Sequence, residues 1–280
     1  MQHVRAIAEW RRSASALRES GRTVALVPTM GALHAGHESL VAAARERGDA
    51  VVLSVFVNPR QFNDADDLAR YPRTPEADEE FARRAGVDVL VTPALAEMWP
   101  TGRATATTVN VGPLGELFEG VDRPGHFNGV ASVVAKLLIV NGPGRLYLGE
   151  KDFQQLVLVR QMVHDLGFDV EVVGCPIVRE SSGLALSSRN VRLSEAGREV
   201  ARGFSRALAR VSEPAAASVQ RARLRASLEE SGVDIAYVDV VDPTSLASAR
   251  DDEVGERRAL LAGYVEGVRL IDNGRLWVGR

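Results

Sequence analysis

The chain has 280 residues, 45% hydrophobic and 25% charged, with a formal net charge of -3, which fits a globular protein of one large domain or a main domain with a smaller companion. That charge disfavours a strongly basic nucleic-acid-binding surface; no stretch reaches the roughly 18 consecutive apolar residues of a membrane helix, and residues 1–22 lack a signal-peptide core. The single cysteine, Cys175, permits no intramolecular disulfide and closes an apolar run, so the expectation is a buried thiol in a soluble cytoplasmic protein without membrane or nucleic-acid partners.

In chain order, β-branched apolar runs at 24–27, 51–57 and 87–91 predict buried strands. Helical spacing fills 38–47 and 76–85, the latter with Thr74 as N-cap and Pro75 as first helical residue. The pairs Arg11-Arg12 and Arg83-Arg84 lie in helix-like surroundings and read as solvated faces. A helix follows at 130–140, a strand at 145–148, a helix at 152–166 and a strand at 168–174. Strands alternating with helices predict βαβ units and a parallel sheet, an α/β domain. Beyond about residue 178 the texture changes: helices at 194–211 and 218–231, then strands at 234–241 and 259–268, predict a smaller α+β domain with an antiparallel sheet.

Parallel sheets bind ligands beyond the carboxyl ends of their strands, which directs attention to the glycine-bearing segments that follow them. The first is VPTMGALHAGH, residues 27–37. Gly31 and Gly36 let the backbone approach a ligand, and the start of the following helix favours phosphate oxygens. His34 and His37 are three apart, so if helical they share a face, and they are suited to donating to a polyphosphate. Two other readings stand beside this: ordinary histidines near a tight turn, or a metal pair. No further cluster with zinc spacing completes the latter. In FVNPRQF, Asn58-Pro59 marks a turn, and Gln61 is either a neutral ligand for a carboxylate and a hydroxyl or an ordinary loop glutamine.

GEKDFQQ, residues 149–155, places Lys151 as a point charge for phosphate, Asp152 as a Mg²⁺ neighbour and Gln155 one turn on; the plain alternative is a charged helix start. RESSGLALSSRN, residues 179–190, offers Ser187, Ser188 and Arg189 as a hook for phosphates, or a serine-rich linker. RPGHFNGV, residues 123–130, is a glycine-rich loop before a helix, in which His126 reads as structural.

Taken together, the strings VPTMGALHAGH, FVNPRQF, ARYPRTPEAD, RPGHFNGVASVVAKL, LGEKDFQQL and GLALSSRN, with YVDVVDP and RLIDN near the C-terminus, resemble the pantothenate synthetase (pantoate–β-alanine ligase) family in order and spacing over nearly the whole chain. His-x-Gly-His alone would indicate only the wider nucleotidyltransferase superfamily. The resemblance implies a Rossmann-like domain at 1–177 and a C-terminal lid domain at 178–280, usually in a homodimer. It implies ATP-dependent condensation of pantoate with β-alanine through pantoyl adenylate, with Mg²⁺. The implied catalytic residues are His37, as the acid, His34 and Lys151. Met30, Gly31, His34, His37, Gly149, Lys151, Asp152, Val178, Leu186, Ser187, Ser188 and Arg189 would hold ATP. Met30, Gln61 and Gln155 would hold pantoate, and Gln61 also β-alanine. Asp78 and Asp152 would lie near Mg²⁺. Three positions depart from the family pattern: Ser182 replaces a common aspartate, Arg60 an apolar residue and Arg192 an aromatic. The neutral Gln61 and Gln155 suit a small hydroxy acid better than a phosphorylated acceptor, and the length leaves no room for an anticodon-reading module.

Overall fold

β-Branched residues have stiff side chains that suit a sheet buried on both faces, and in the computed structural model, which describes residues 1–102 and 106–279, they form the centre of a parallel sheet. The first part of the chain runs β1 (Gln2–Val4), α1 (Ile7–Glu19), β2 (Val24–Thr29), α2 (Ala35–Glu46), β3 (Ala50–Val55), α3 (Ala65–Arg70), α4 (Pro75–Arg84) and β4 (Val89–Val91). It continues through α5 (Leu95–Met98), α6 (Glu119–Asp122), α7 (His126–Asn141), β5 (Gly144–Gly149), α8 (Phe153–Asp165) and β6 (Val170–Cys175). Among the described residues the order in this sheet is β1-β4-β3-β2-β5-β6, all parallel. Ala25, Val27, Val51, Leu53 and Leu90 pack against Leu40, Val41 and Ala44 of α2. From β2 the chain builds outward to β3 and β4, then returns to lay β5 on the other side. The order therefore reverses between β2 and β5, the crevice where parallel sheets place ligands.

The opposite end of the sheet is tied by charge. The buried Asp49, just before β3, accepts from the Tyr147 hydroxyl at 2.8 Å and pairs with Arg145. Arg145 and Arg47 both bind Glu171 on β6. Burial, then the Asp49 carboxylate, push the Tyr147 phenol far above its ordinary range, which marks the hydroxyl as a structural donor.

The second part runs α9 (Glu195–Ala201), α10 (Gly203–Ala209), α11 (Ala217–Glu230), β7 (Asp234–Val241), β8 (Gly255–Val265) and β9 (Val268–Val278). The three strands form an antiparallel sheet in the order β7-β8-β9. One face, bearing Val240, Leu261, Leu270 and Val278, packs on Phe204, Leu224 and Leu228 of the helices. The single helix expected at 194–211 is two, joined at Arg202. The strand expected at 259–268 runs through a hairpin turn: Val265 pairs Val268, with Glu266 (φ 51°) and Gly267 (φ 72°) between them. Positive φ at both central residues is the turn whose twist suits a tight hairpin.

The chain divides into two units, Met1–Glu150 with Leu158–Pro176, and Lys151–Val157 with Ile177–Arg280. The boundary expected after residue 177 falls after Pro176. Lys151–Val157, expected in the first domain, groups with the second.

Candidate active site

In the first unit, β2 ends at Thr29, whose hydroxyl donates to the Ser54 carbonyl at 2.8 Å. The chain then turns through Gly31 (φ 85°) and Ala32 (φ 49°). Glycine is needed at 31 on two counts. Its φ is positive, and a Cβ there would stand 2.9 Å from Asp78 Oδ2 and 3.1 Å from Val55 Cγ1. Ala32 lacks that freedom and is held from outside: its N–H donates to Asp78 Oδ2 at 3.1 Å, and the Leu33 N–H donates to Oδ1 at 2.9 Å. The Thr74 hydroxyl adds a third bond, to Oδ1 at 3.2 Å. Asp78 was expected near Mg²⁺; its buried carboxylate is occupied with fixing the loop.

This loop delivers His34 to the N-cap of α2, where Ser, Thr, Asp or Asn is usual. His34 Nδ1 accepts from the Gly36 N–H at 3.1 Å, and His37 Nδ1 accepts from the His34 N–H at 3.2 Å. The two imidazoles form a reciprocal capping box, with ring centroids 4.1 Å apart. Two backbone donors thus fix both Nδ1 atoms as acceptors, so each neutral ring carries its proton on Nε2. The result is a pair of N–H donors on the first turn of a twelve-residue helix, at its positive end.

Gln61 and Met30 are brought together, with the Gln61 Nε2 3.1 Å from Met30 Sδ. The amide is oriented by Asn58, whose Nδ2 donates to Gln61 Oε1 at 3.0 Å and to the Gly129 carbonyl at 3.1 Å. Asn58 Oδ1 in turn accepts from Trp99 Nε1 at 3.2 Å. The Gln61 backbone carbonyl is held as well, by His126 Nδ1 at 2.7 Å and Arg123 at 3.3 Å. A guanidinium only donates, so Arg123 Nη1, 3.2 Å from His126 Nε2, makes Nε2 the acceptor and Nδ1–H the donor to Gln61. α7 lies so close to the Pro59–Gln61 turn that a Cβ on Gly129 would come within 2.2 Å of the Arg60 carbonyl oxygen. Gly149 closes β5, paired with Cys175. The Cys175 thiol is pushed up by burial and then by Glu150, which leaves it a packing residue.

In the second unit, Lys151 Nζ lies 3.7 Å from the Asp152 carboxylate, which is itself half exposed. Gln155 follows on the first turn of α8. The residues 178–186 form a small hairpin, with the Leu186 N–H donating to the Val178 carbonyl at 3.0 Å and Glu180 to the Leu184 carbonyl at 2.8 Å. Ser187 then caps a short 3-10 turn, Ser188–Arg192, accepting from the Arg189 N–H at 3.3 Å. Asn190, buried, ties this turn to the hairpin through the Ala185 carbonyl at 3.0 Å. Among the described residues no group of three or more His, Cys, Asp or Glu side chains could hold a metal ion. Among them also, no helix is long and apolar enough to cross a membrane.

A family model described as Pantoate-beta-alanine ligase matches residues 2–275. The chain belongs to that family. A pantothenate synthetase of Ruegeria pomeroyi is 46% identical over 275 residues, 96% of this chain and 95% of the relative. One from Mycolicibacterium smegmatis is 49% identical over 268 residues, 94% of this chain and 84% of the relative. Among solved structures, the Thermus thermophilus pantothenate synthetase superposes with a TM-score of 0.90 at 46% identity, covering 98% of this chain and 99% of that one. A pantoate-beta-alanine ligase from Francisella tularensis, complexed with beta-gamma ATP and beta-alanine, superposes at 0.80 with 33% identity over 98% and 97%.

Two of the departures from the pantoate–β-alanine ligase pattern have a local account. Arg60 stacks over Trp99 at 4.7 Å and donates to the carbonyls of Thr107 at 2.9 Å and Ala106 at 3.3 Å. It therefore works away from the amide of its neighbour Gln61. Ser182 donates to Glu180 at 3.4 Å, beside Arg198 on the same carboxylate at 3.1 Å. Arg192 is exposed. Asn58-Pro59 marks a turn in the sequence, but the roles of Asn58 and Trp99 at Gln61 carry no sequence signal. Nothing local reveals that Asn58 is buried against a helix far along the chain.

Proposed function

We infer that this chain condenses pantoate with β-alanine at the expense of ATP, through pantoyl adenylate, as pantoate–β-alanine ligases do. A carboxylate is a poor acyl donor until one of its oxygens becomes a good leaving group. In the first step a pantoate carboxylate oxygen attacks the α-phosphorus of ATP; the bond to the bridging oxygen breaks, and pyrophosphate leaves with the electron pair. In the second, the β-alanine amine attacks the acyl carbon, the bond to AMP breaks and the amine loses a proton. The first step depends on positioning and charge neutralisation more than on covalent help.

The observation that carries this reading is the imidazole capping box. Because both Nδ1 atoms serve the backbone, His34 and His37 offer Nε2–H donors to phosphate oxygens as charge grows on them. In this reading Met30, Gly31, Gly149, Lys151, Asp152 and the Val178 backbone join the two histidines on ATP, and Leu186, Ser187, Ser188 and Arg189 grip its phosphates. Gln61 and Gln155 hold pantoate with Met30, and Gln61 also meets β-alanine. The pairing of Gln61 with Met30 and the orientation of its amide by Asn58 support that assignment. Mg²⁺ fits through Asp152, an exposed carboxylate beside Lys151, since Mg²⁺ on a nucleotide needs only one or two carboxylates besides phosphates and waters. When bound it neutralises the triphosphate. Asp78, the other carboxylate assigned to the Mg²⁺ neighbourhood, holds the Ala32 and Leu33 N–H groups. A homodimer in the cytoplasm completes the reading, on the strength of the family resemblance.

Pyrophosphate release from MgATP tests it. Release that requires pantoate, with pantothenate formed only once β-alanine is added, is the expected result. ATP binding with no release on any small carboxylate would overturn it.

A further inference from the structure

The string RLIDN, residues 269–273, belongs to the family pattern but takes no part in the chemistry above. It lies on β9, where Asp272 pairs with Leu261 and Asn273 with Leu260. Adjacent strand residues point to opposite faces. Asp272 therefore shares the helix-covered face with Leu261 and Leu270, and Asn273 lies on the other face with Leu260. Both are polar and buried, at 3% and 2% exposure. Burying a polar group is costly unless it is hydrogen-bonded, so the partners of these two side chains show what they hold.

The partners are specific. Asp272 binds Arg179 bidentately, at 2.6 and 2.8 Å, and Arg179 opens the hairpin that leads to Leu186, Ser187, Ser188 and Arg189. Asn273 Nδ2 donates to the Lys151 carbonyl at 2.9 Å. The amide cannot flip, because Asn273 Oδ1 accepts from Arg258 Nε at 2.7 Å and a guanidinium has only donors to offer. Arg258, itself buried, stacks on the ring of Phe153 at 4.2 Å. The Arg258–Asn273 pair thus grips residues on both sides of Asp152.

We propose that Asp272 and Asn273 are a positioning pair, holding both ATP-handling segments of the second unit, Lys151 with Asp152 and the 186–189 hook, to one strand. Asn273 acts through Lys151: by fixing its carbonyl it fixes the backbone from which the ammonium reaches phosphate. This rests on the assignment of Lys151 and residues 186–189 to ATP.

The test compares steady-state pyrophosphate release by the full chain for Asn273→Asp, Asn273→Ser, Lys151→Ala and the double variant Lys151→Ala/Asn273→Asp. Asn273→Asp keeps an acceptor for Arg258 and sets an oxygen against the Lys151 carbonyl; Asn273→Ser removes the amide without adding charge. KM for ATP is expected to rise on the order of tenfold in either, with KM for pantoate within about twofold of wild type. In the Lys151→Ala background the Asn273 effect on ATP should shrink, because the share carried by the ammonium is gone while that carried by Asp152 remains, as for residues acting partly through one group. A folded Asn273 variant with unchanged KM for ATP overturns the proposal. So does an equal rise for ATP and pantoate, full additivity in the double variant, or failure of both Asn273 variants to fold, which would make the residue scaffold. If Lys151→Ala alone leaves KM for ATP unchanged, the assignment of Lys151 to ATP is what fails, and the proposal falls with it.

Discussion

Asp78 on α4 accepts the N–H of Leu33, 45 residues earlier, at 2.9 Å, and with its other oxygen the N–H of Ala32 at 3.1 Å. One helix carboxylate thereby fixes the turn that aims His34 and His37. Ala32 is a non-glycine residue at positive φ, a conformation that persists only when its surroundings impose it. Asp78→Asn keeps the shape but turns one acceptor into an NH₂ facing a backbone N–H. It should cost about 1–3 kcal/mol in denaturant unfolding and slow adenylation. The Mg²⁺ concentration for half-maximal rate should stay unchanged in Asp78→Asn and rise in Asp152→Asn; a rise in Asp78→Asn would return Asp78 to the metal.

His37 has two tasks that one substitution separates. Its Nδ1 caps the His34 N–H, and its Nε2 edge is assigned to phosphate. Glutamine at this third helical position keeps a capping acceptor but offers no imidazole. His37→Gln should therefore unfold within about 0.5 kcal/mol of wild type, whereas His37→Ala loses on the order of 1 kcal/mol. Both should lower the pantoate-dependent rate of pyrophosphate release by roughly a hundredfold or more. Near-normal release by folded His37→Gln would remove His37 from the chemistry.

Gly129→Ala probes the seat of Gln61. A Cβ there would lie 2.2 Å from the Arg60 carbonyl oxygen and 2.8 Å from the Gln61 nitrogen. Backbone cannot swing aside as a side chain can, so the turn must shift. The expected cost is about 1–3 kcal/mol in stability, with a rise in KM for pantoate larger than that for ATP. Equal changes in the two constants would show that the turn does not serve pantoate.

At the far end of the sheet, hydrogen bonds from Arg47, and then Arg145, hold the Glu171 carboxyl below the usual carboxylate range. Its folded-state pKa is depressed, so its contribution is present above the unfolded value of about 4.3 and is lost as pH falls through the folded one. Glu171→Gln should lower the unfolding midpoint at pH 7 and leave the difference shrinking toward zero as acid is added. Because the pair is exposed, added salt should narrow the gap at neutral pH too.

The sequence determined the alternation of β-branched runs with helices, and with it the parallel sheet, the change of texture near residue 178 and the motifs that identify the family. These signals are local: periodicity, caps and short strings are each legible within about a dozen residues. The hairpin at Glu266-Gly267 was hidden because apolar residues flank it on both sides, so a two-residue turn read as continuing strand. β9 was lost with it. The tertiary structure alone decided that Asp78 belongs to the loop, that Asn58 orients Gln61, and that Lys151–Val157 groups with the second unit, where Asn273 meets Lys151. The bonds behind them run from Asp78 to Leu33, from Asn58 to Gly129 and Trp99, and from Asn273 to Lys151, all far apart in the chain, and a buried polar group shows its task only through the partner that satisfies it.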